Sequence, residues 1–329
     1  MDIYSYISLG VEDMSIQLVE FGEYLGIRDQ NFVVYQNGEE SLELPFHKVR
    51  RVTISSGNNI SSSALFWLAQ YGVETVIVSK TGKLVATIVP AMTDARDDTR
   101  LKQYEAYFNR KGVEIAQAFA GKRVESEISF MERLDMNTSK LEKWLPRISF
   151  EADRVDEVRT NIQALEGKCT QEYFKQFFRL FPDFLRTRNR YKRSAQDPLN
   201  NLMNLGYEVL KRRVHVAVAA AHLDPYLGFL HSTQFGKPSL VCDLMEPWRC
   251  MVENFILDYH EELDPDCFTL HGRRSFLKPE HMHSFTKALD RNIDNKRIPY
   301  NRRGNSKTTR IRTAIKEEPR KLATLLRST

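Results

Sequence analysis

Residues 73–108 read VETVIVSKTGKLVATIVPAMTDARDDTRLKQYEAYF, and the hydrophobic period changes inside this stretch. VETVIVS (73–79) and KLVATIV (83–89) are apolar, rich in β-branched residues, and bracket Thr81-Gly82, which predicts a hairpin. After Pro90-Ala91-Met92-Thr93-Asp94 the apolar residues recur every three or four positions, beginning with Leu101, Tyr104 and Phe108. A boundary is therefore expected here, with strands before it and helices after. Upstream, EYLGI (23–27) and FVVY (32–35) flank Arg28-Asp29-Gln30-Asn31 as a further hairpin, and VRRVTIS (49–55) reads as a strand. Ser61-Ser62-Ser63 can cap one short helix, ALFWLAQY (64–71), which Gly72 ends. Downstream, Val155/Val158/Ile162/Leu165 and Leu202/Leu205/Val209 keep the helical spacing, with Pro146, Pro182, Pro198 and Pro225 as helix limits. The expected fold is α+β in two domains: a small β-rich, β-sandwich-like domain over residues 1–90, then an all-α domain over residues 91–329.

Composition narrows the function classes. A chain of 329 residues with 42% hydrophobic and 28% charged residues belongs with globular proteins, not disordered ones. No run of eighteen apolar residues occurs, and the first residues lack a basic segment leading into an apolar one. Neither a membrane span nor a secretory signal is expected, and the cytoplasm is the expected location. Cys169, Cys242, Cys250 and Cys267 stand at no metal-knuckle spacing and form no C-x-x-C pair, so reduced structural thiols are expected. Residues 1–90 hold 6 Lys/Arg against 10 Asp/Glu, a net of −4, which leaves +9 on the remainder for a total of +5. Two stretches concentrate that excess: Arg186, Arg188, Arg190, Lys192 and Arg193 around Tyr191, and Lys296 to Arg312 with Arg302 and Arg303 inside it. Such stretches track a phosphate backbone or form a solvated face, and Asn301 to Lys307 reads as flexible.

Four residues carry candidate chemistry. Glu166 shares a helical face with Ile162, Cys169 and Tyr173, so its carboxylate is turned inward and requires an ion pair, a proton or a metal. His231 follows the apolar loop Leu227-Gly228-Phe229-Leu230 and reads as a structural imidazole or a ligand. Asp243 and Glu246 have the spacing of a helix N-terminal capping box, yet both also lie on one side of a first turn, where a cation can use them. Taken together, an imidazole and several carboxylates make a mixed N/O site suited to Mn²⁺ or Mg²⁺. Such a site, flanked by cations, points to phosphodiester chemistry on nucleic acid.

These residues also resemble a known family. Leu165-Glu166-Gly167 with Tyr173-Phe174 is similar to the catalytic-glutamate helix of CRISPR-associated protein one, the integrase of spacer acquisition. Asp197-Pro198-Leu199-Asn200-Asn201-Leu202 with Gly206-Tyr207 is similar to its Asp-Pro-x-Asn helix, and Leu227-Gly228-Phe229-Leu230-His231 to its histidine motif. The block from Gly236-Lys237-Pro238-Ser239-Leu240 to Asp243-Leu244-Met245-Glu246, with Trp248-Arg249, matches its longest signature. Lys237, where the family often has Arg, and Pro247 directly after Glu246 depart from the pattern. The resemblance implies Glu166, His231 and Glu246 as ligands of Mn²⁺ or Mg²⁺ with Asp243 beside them. It implies Tyr173, Lys237, Ser239 and Arg249 as site support or DNA contacts. It further implies a β-domain that pairs two subunits, and a small ferredoxin-like second adaptation protein as partner. The implied reaction joins a DNA 3′-hydroxyl to a phosphodiester of the repeat. A structure-specific nuclease or transposon-type integrase outside immunity, and a non-catalytic DNA-binding scaffold, remain as alternatives.

Overall fold

Asp29 and Gln30 both adopt positive φ, 46° and 64°, the backbone twist that a two-residue hairpin turn requires. They join β2 (Tyr24–Arg28) to β3 (Asn31–Gln36) in the predicted hairpin within a computed structural model. The structure describes residues 14–79, 82–89, 98–192, 195–302 and 305–328, and within these the side chains of 300–302 and 305–307 are not described. The chain divides into two compact units, Met1–Asp94 and Ala95–Thr329. The segment Pro90 to Asp94, where the hydrophobic period changes, lies outside the described residues.

The first unit holds two four-stranded sheets. One runs in the order β1 (Met14–Leu18), β5 (Val49–Ser55), β7 (Glu74–Val78), β8 (Leu84–Ile88), and the other β4 (Glu39–Pro45), β3, β2, β6 (Asn59–Ile60). β7 and β8 form the second predicted hairpin, with Thr75 opposite Ile88. β1, β5 and β7 are parallel, which makes β5 a central strand with only Arg50 exposed. Ile16, Val52 and Ile54 from one sheet meet Leu25, Phe32 and Val34 from the other, with Leu68 of α1 (Ser62–Gln70) closing the core. Ser61 caps α1 as expected, accepting from the Ala64 amide at 3.0 Å.

The second unit is helical: α2 (Asp98–Tyr107), α3 (Arg110–Arg133), α4 (Ser139–Trp144), α5 (Val155–Phe177), α6 (Pro198–Ala220), α7 (Ser239–Met245), α8 (Arg249–Tyr259), α9 (Pro279–Asn295) and α10 (Ile311–Arg327). It also carries two hairpins, β9 (Phe268–His271) with β10 (Arg274–Leu277), and β11 (Arg297–Arg302) with β12 (Asn305–Arg310). In the second hairpin Asn301 pairs with Ser306 and Arg302 with Asn305, within the segment expected to be flexible, of which 303 and 304 lie outside the described residues. Asp197 caps α6 through the Asn200 amide at 2.8 Å, and Pro198 at the first turn needs no donor. In α2 and the residue that follows it, Leu101, Tyr104 and Phe108 mark the exposed face. Their exposures are 58%, 42% and 58%, whereas Gln103 is fully buried. Among the described residues no helix is long and apolar enough to cross a membrane.

Candidate active site

The loop before α7 is built so that its amides converge on one carboxylate. Gln103 pins it from α2, donating to the carbonyls of Asp224 (3.0 Å) and Leu227 (2.9 Å) and accepting from the Asp224 amide (2.7 Å). Gly228 is required by the close approach: a Cβ there would stand 2.7 Å from the His231 and Ser239 backbones. Asp243, wholly buried in α7, then accepts from the amides of Phe229 (2.6 Å), Leu230 (3.0 Å) and His231 (2.8 Å). The capping-box reading of Asp243 and Glu246 is thereby corrected, since α7 begins at Ser239 and the donors to Asp243 come from a preceding loop. Asp243 also sits 2.7 Å from Nδ1 of His231, which fixes the ring and leaves Nε2 directed away from it.

Nε2 of His231 faces Oε1 of Glu246 at 3.8 Å, while Oε2 of Glu246 accepts from Nε of Arg249 at 2.8 Å. Glu246 is almost fully buried; burial pushes its pKa up, but the neighbouring cations, Arg249 first, outweigh that and hold it below the ordinary value. Glu166 on α5 lines the same cavity, about 410 Å³ in volume, as predicted from the apolar face it shares with Ile162, Cys169 and Tyr173. Its carboxyl is shifted upward, first by burial and then by the negative charge of Glu246. The cavity is also lined by cations, Arg188, Arg190, Lys192 and Arg249. Burial first, and then the charge of Arg249, depress the Lys192 ammonium against the opposing pull of Glu246.

Continuous with the cavity lining, through Arg123 and Tyr207, is a buried polar layer that the sequence reading missed. Arg123 of α3 pairs with Glu127 (2.8 Å) and Glu253 (3.0 Å), and all three are essentially inaccessible. Glu253 also accepts from Tyr173 at 2.7 Å and from Tyr207. Arg249 and Arg190 lie over the Tyr207 ring, 4.7 and 5.4 Å from its centroid. Arg123 and Glu127 stand at i, i+4, the spacing of an ordinary surface pair, and that is why pattern alone does not single them out.

The family model described as CRISPR associated protein Cas1 matches residues 16–291. The chain belongs to the Cas1 family. A CRISPR-associated endonuclease Cas1 of Korarchaeum cryptofilum is 31% identical over 269 residues, covering 76% of this chain and 78% of that protein. Among solved structures, a casposase bound to integration product superposes with a TM-score of 0.78 at 21% identity, over 95% of this chain and 90% of that one. A Cas6-RT-Cas1–Cas2 complex gives 0.74 at 18% identity over 98% of this chain, which spans 36% of that longer chain. At such identities the structures establish a shared Cas1-like fold.

The other predicted residues of this Cas1 chain divide by exposure. Tyr173 and Ser239 are fully buried, and Ser239 Oγ donates to the Ser232 carbonyl at 2.7 Å, so support is the role open to them and DNA contact is not. Arg186 turns to Asp183 (2.9 Å) and the Phe181 carbonyl (3.1 Å), outside the cavity lining, and Lys237 is half-buried. The side chain of Arg302, and Arg303 altogether, lie outside the described residues. Cys169, Cys242, Cys250 and Cys267 are free, and burial pushes the Cys169 thiol up to about 12, which suits an inert thiol. Among the described residues no group of three or more His, Cys, Asp or Glu is arranged as a ready-made metal cage. The donors nevertheless fit an open N/O site. Nε2 of His231 is unencumbered, Oε1 of Glu246 points at it, and the mutual repulsion of Glu166 and Glu246 is what a cation between them relieves.

Proposed function

We propose that this chain is a divalent-metal-dependent DNA integrase and endonuclease of CRISPR adaptation, joining the 3′-hydroxyl ends of a spacer precursor to the repeat. The observation that carries the reading is the meeting of His231 Nε2 and Glu246 Oε1 in a cavity that Glu166, Arg188, Arg190 and Lys192 also line. Glu166, His231 and Glu246 would hold Mn²⁺ or Mg²⁺. When bound, the ion neutralises charge on a phosphoryl oxygen and lowers the proton affinity of the attacking hydroxyl. Asp243 keeps the imidazole proton on Nδ1, so that Nε2 offers a lone pair. Arg249 holds one oxygen of Glu246 aside and leaves the other facing the cavity. Arg188, Arg190 and Lys192 hold the phosphodiester against the acidic face.

The reaction is a transesterification. The attacking 3′-oxygen forms a bond to phosphorus, the original P–O3′ bond breaks, and the released 3′-oxygen takes up the proton. One phosphodiester is made for each one lost, so no external energy source is needed. With water as nucleophile the same centre cuts DNA, in keeping with the word endonuclease in the relative's name. We assign residues 1–90 to pairing of two copies and residues 91–329 to catalysis in the cytoplasm. A small ferredoxin-like second adaptation protein is the expected partner, a reading supported by the Cas1–Cas2 assembly among the similar folds.

The test uses a labelled duplex with free 3′-hydroxyls and a supercoiled plasmid carrying a repeat, with Mn²⁺ or with chelator. Joined product should depend on metal and drop by roughly 10²–10³-fold or more in His231→Ala, the several kcal/mol of charge stabilisation at stake. Cleavage without joining moves the assignment to a nuclease, and tight DNA binding with no covalent change under any metal leaves only a scaffold.

A further inference from the structure

Oγ1 of Thr170 lies 2.6 Å from Oε1 of Glu127 and 3.0 Å from Oε1 of Glu166. A hydroxyl carries one proton and donates once, so two ionised carboxylates cannot both be satisfied by it. One of the two glutamates must itself supply a proton to this chain of contacts.

Three observations place that proton on Glu127. Charge is the first: Arg123 is the cation shared by Glu127 and Glu253, and all three side chains are at most 1% exposed. Glu253 takes the ionised role, because Tyr173, Tyr207 and Arg123 all donate to it. Satisfaction is the second: Oε2 of Glu127 has no hydrogen-bond partner, and the Nε–H of Arg123 is misaligned with Oε1 despite the 2.8 Å separation. An unpartnered oxygen is tolerable on a neutral buried acid and costly on a carboxylate. Position is the third: Glu166 lines the cavity and is only half-buried, whereas Glu127 is wholly inaccessible, and a charge costs least at the more open of the two.

We infer that Glu127 is held as a neutral acid, donating to Thr170, whose hydroxyl in turn donates to Oε1 of Glu166. Glu127 and Thr170 are then positioning residues. They fix the rotamer of a metal-binding carboxylate by engaging one lone pair and leaving the remaining oxygen free. Burial as deep as that of Glu127 drives a carboxyl toward neutrality, and here it reaches about 8. The inference rests on the metal-site reading in what it positions, though not in where it puts the proton.

The test separates those two parts. Mn²⁺ affinity, read by the loss of free-ion electron spin resonance without DNA, is compared in wild type, Thr170→Val, Thr170→Ser, Glu127→Ala and Glu127→Gln. Thr170→Val and Glu127→Ala should weaken Mn²⁺ binding about 10-fold or more, the usual effect of losing a ligand's hydrogen-bond support. Thr170→Ser and Glu127→Gln, which keep a neutral donor, should stay within a few-fold of wild type. Equal losses in Glu127→Gln and Glu127→Ala overturn the neutral-acid assignment, and an unchanged Thr170→Val overturns the relay. Metal-free protein gives the second readout, the infrared carbonyl band of a protonated carboxyl, present in wild type and lost in Glu127→Gln. Without that band the inference is wrong. A wild type that shows the band but takes up no Mn²⁺ sinks the metal-site reading and leaves the proton where it is placed here.

Discussion

Glu246 and Glu253 stand seven residues apart on either side of the start of α8, both nearly inaccessible, and the chain treats them in opposite ways. Glu253 is saturated, with Arg123 at 3.0 Å, Tyr173 at 2.7 Å and Tyr207 also donating. Glu246 has one donor, Arg249, on one oxygen, and its other oxygen faces an imidazole nitrogen across the cavity. Completing every hydrogen bond makes a carboxylate structural. Leaving one side incomplete, at the cost of burying charge, makes it available to an ion or a substrate. The Glu253 layer is what lets the Glu246 layer stay incomplete, because it holds Tyr207 and, through the ring, Arg249 in place.

Glu253→Gln attacks the Glu253 layer and should have the largest effect on stability. It leaves Arg123 buried without its best counterion, a loss of about 3–5 kcal/mol. For a unit of this size that lowers Tm by on the order of 10 °C, measurable by thermal or urea unfolding. The pH dependence has a definite sign. Burial raises the Glu253 pKa, but Arg123, Tyr207 and Tyr173 outweigh it and hold it below the ordinary carboxyl value. Its stabilisation is therefore present above the unfolded-state pKa and lost as pH falls through the lower folded value. Wild type and variant should differ most at neutral pH and converge on acidification. A gap that persists into strong acid would mean the pair is not what stabilises this layer.

Asp243→Asn tests the link between loop and imidazole, with a smaller effect expected. The amide nitrogen of Asn meets backbone donors in place of one acceptor oxygen, and His231 is freed to place its proton on Nε2, where it cannot ligate. Mn²⁺ affinity should fall by roughly 10–100-fold, and Glu253→Gln should leave the affinity of the folded fraction within a few-fold. If both variants lose metal equally, the distinction between the two layers fails.

How much of this was legible follows the range of each interaction. The β2–β3 and β7–β8 hairpins, the Ser61 cap and the inward face of Glu166 are local, and short patterns encode them. β1 escaped because its partner is β5, more than thirty residues on, and a parallel pairing leaves no turn signal between them. Leu101, Tyr104 and Phe108 gave the helical period, yet they stand on the exposed side, because Gln103 is drawn inward by backbone groups around Asp224. Asp243 looked like a cap since its real donors, the amides of 229–231, are brought to it by the fold. The Arg123–Glu127–Glu253 layer joins two distant helices and has no signature in either.

The mildest variant, Lys192→Ala, sharpens the contrast by leaving stability alone. Lys192 lines the cavity with Arg190 and Arg249, and burial and like charge hold its ammonium pKa down. Removing it relieves repulsion among these cations, so the folded chain should be no less stable. What it should lose is one phosphate contact. The slope of log affinity for duplex DNA against log salt would then shrink by about one, with binding weakened to a similar degree on every sequence. Glu253→Gln, by contrast, should leave that slope unchanged while lowering Tm. Two variants around one cavity would thus move opposite observables. An unchanged slope in Lys192→Ala would place the DNA backbone elsewhere, on the hairpin that follows Lys296, and would detach the cavity from the phosphodiester it is proposed to hold.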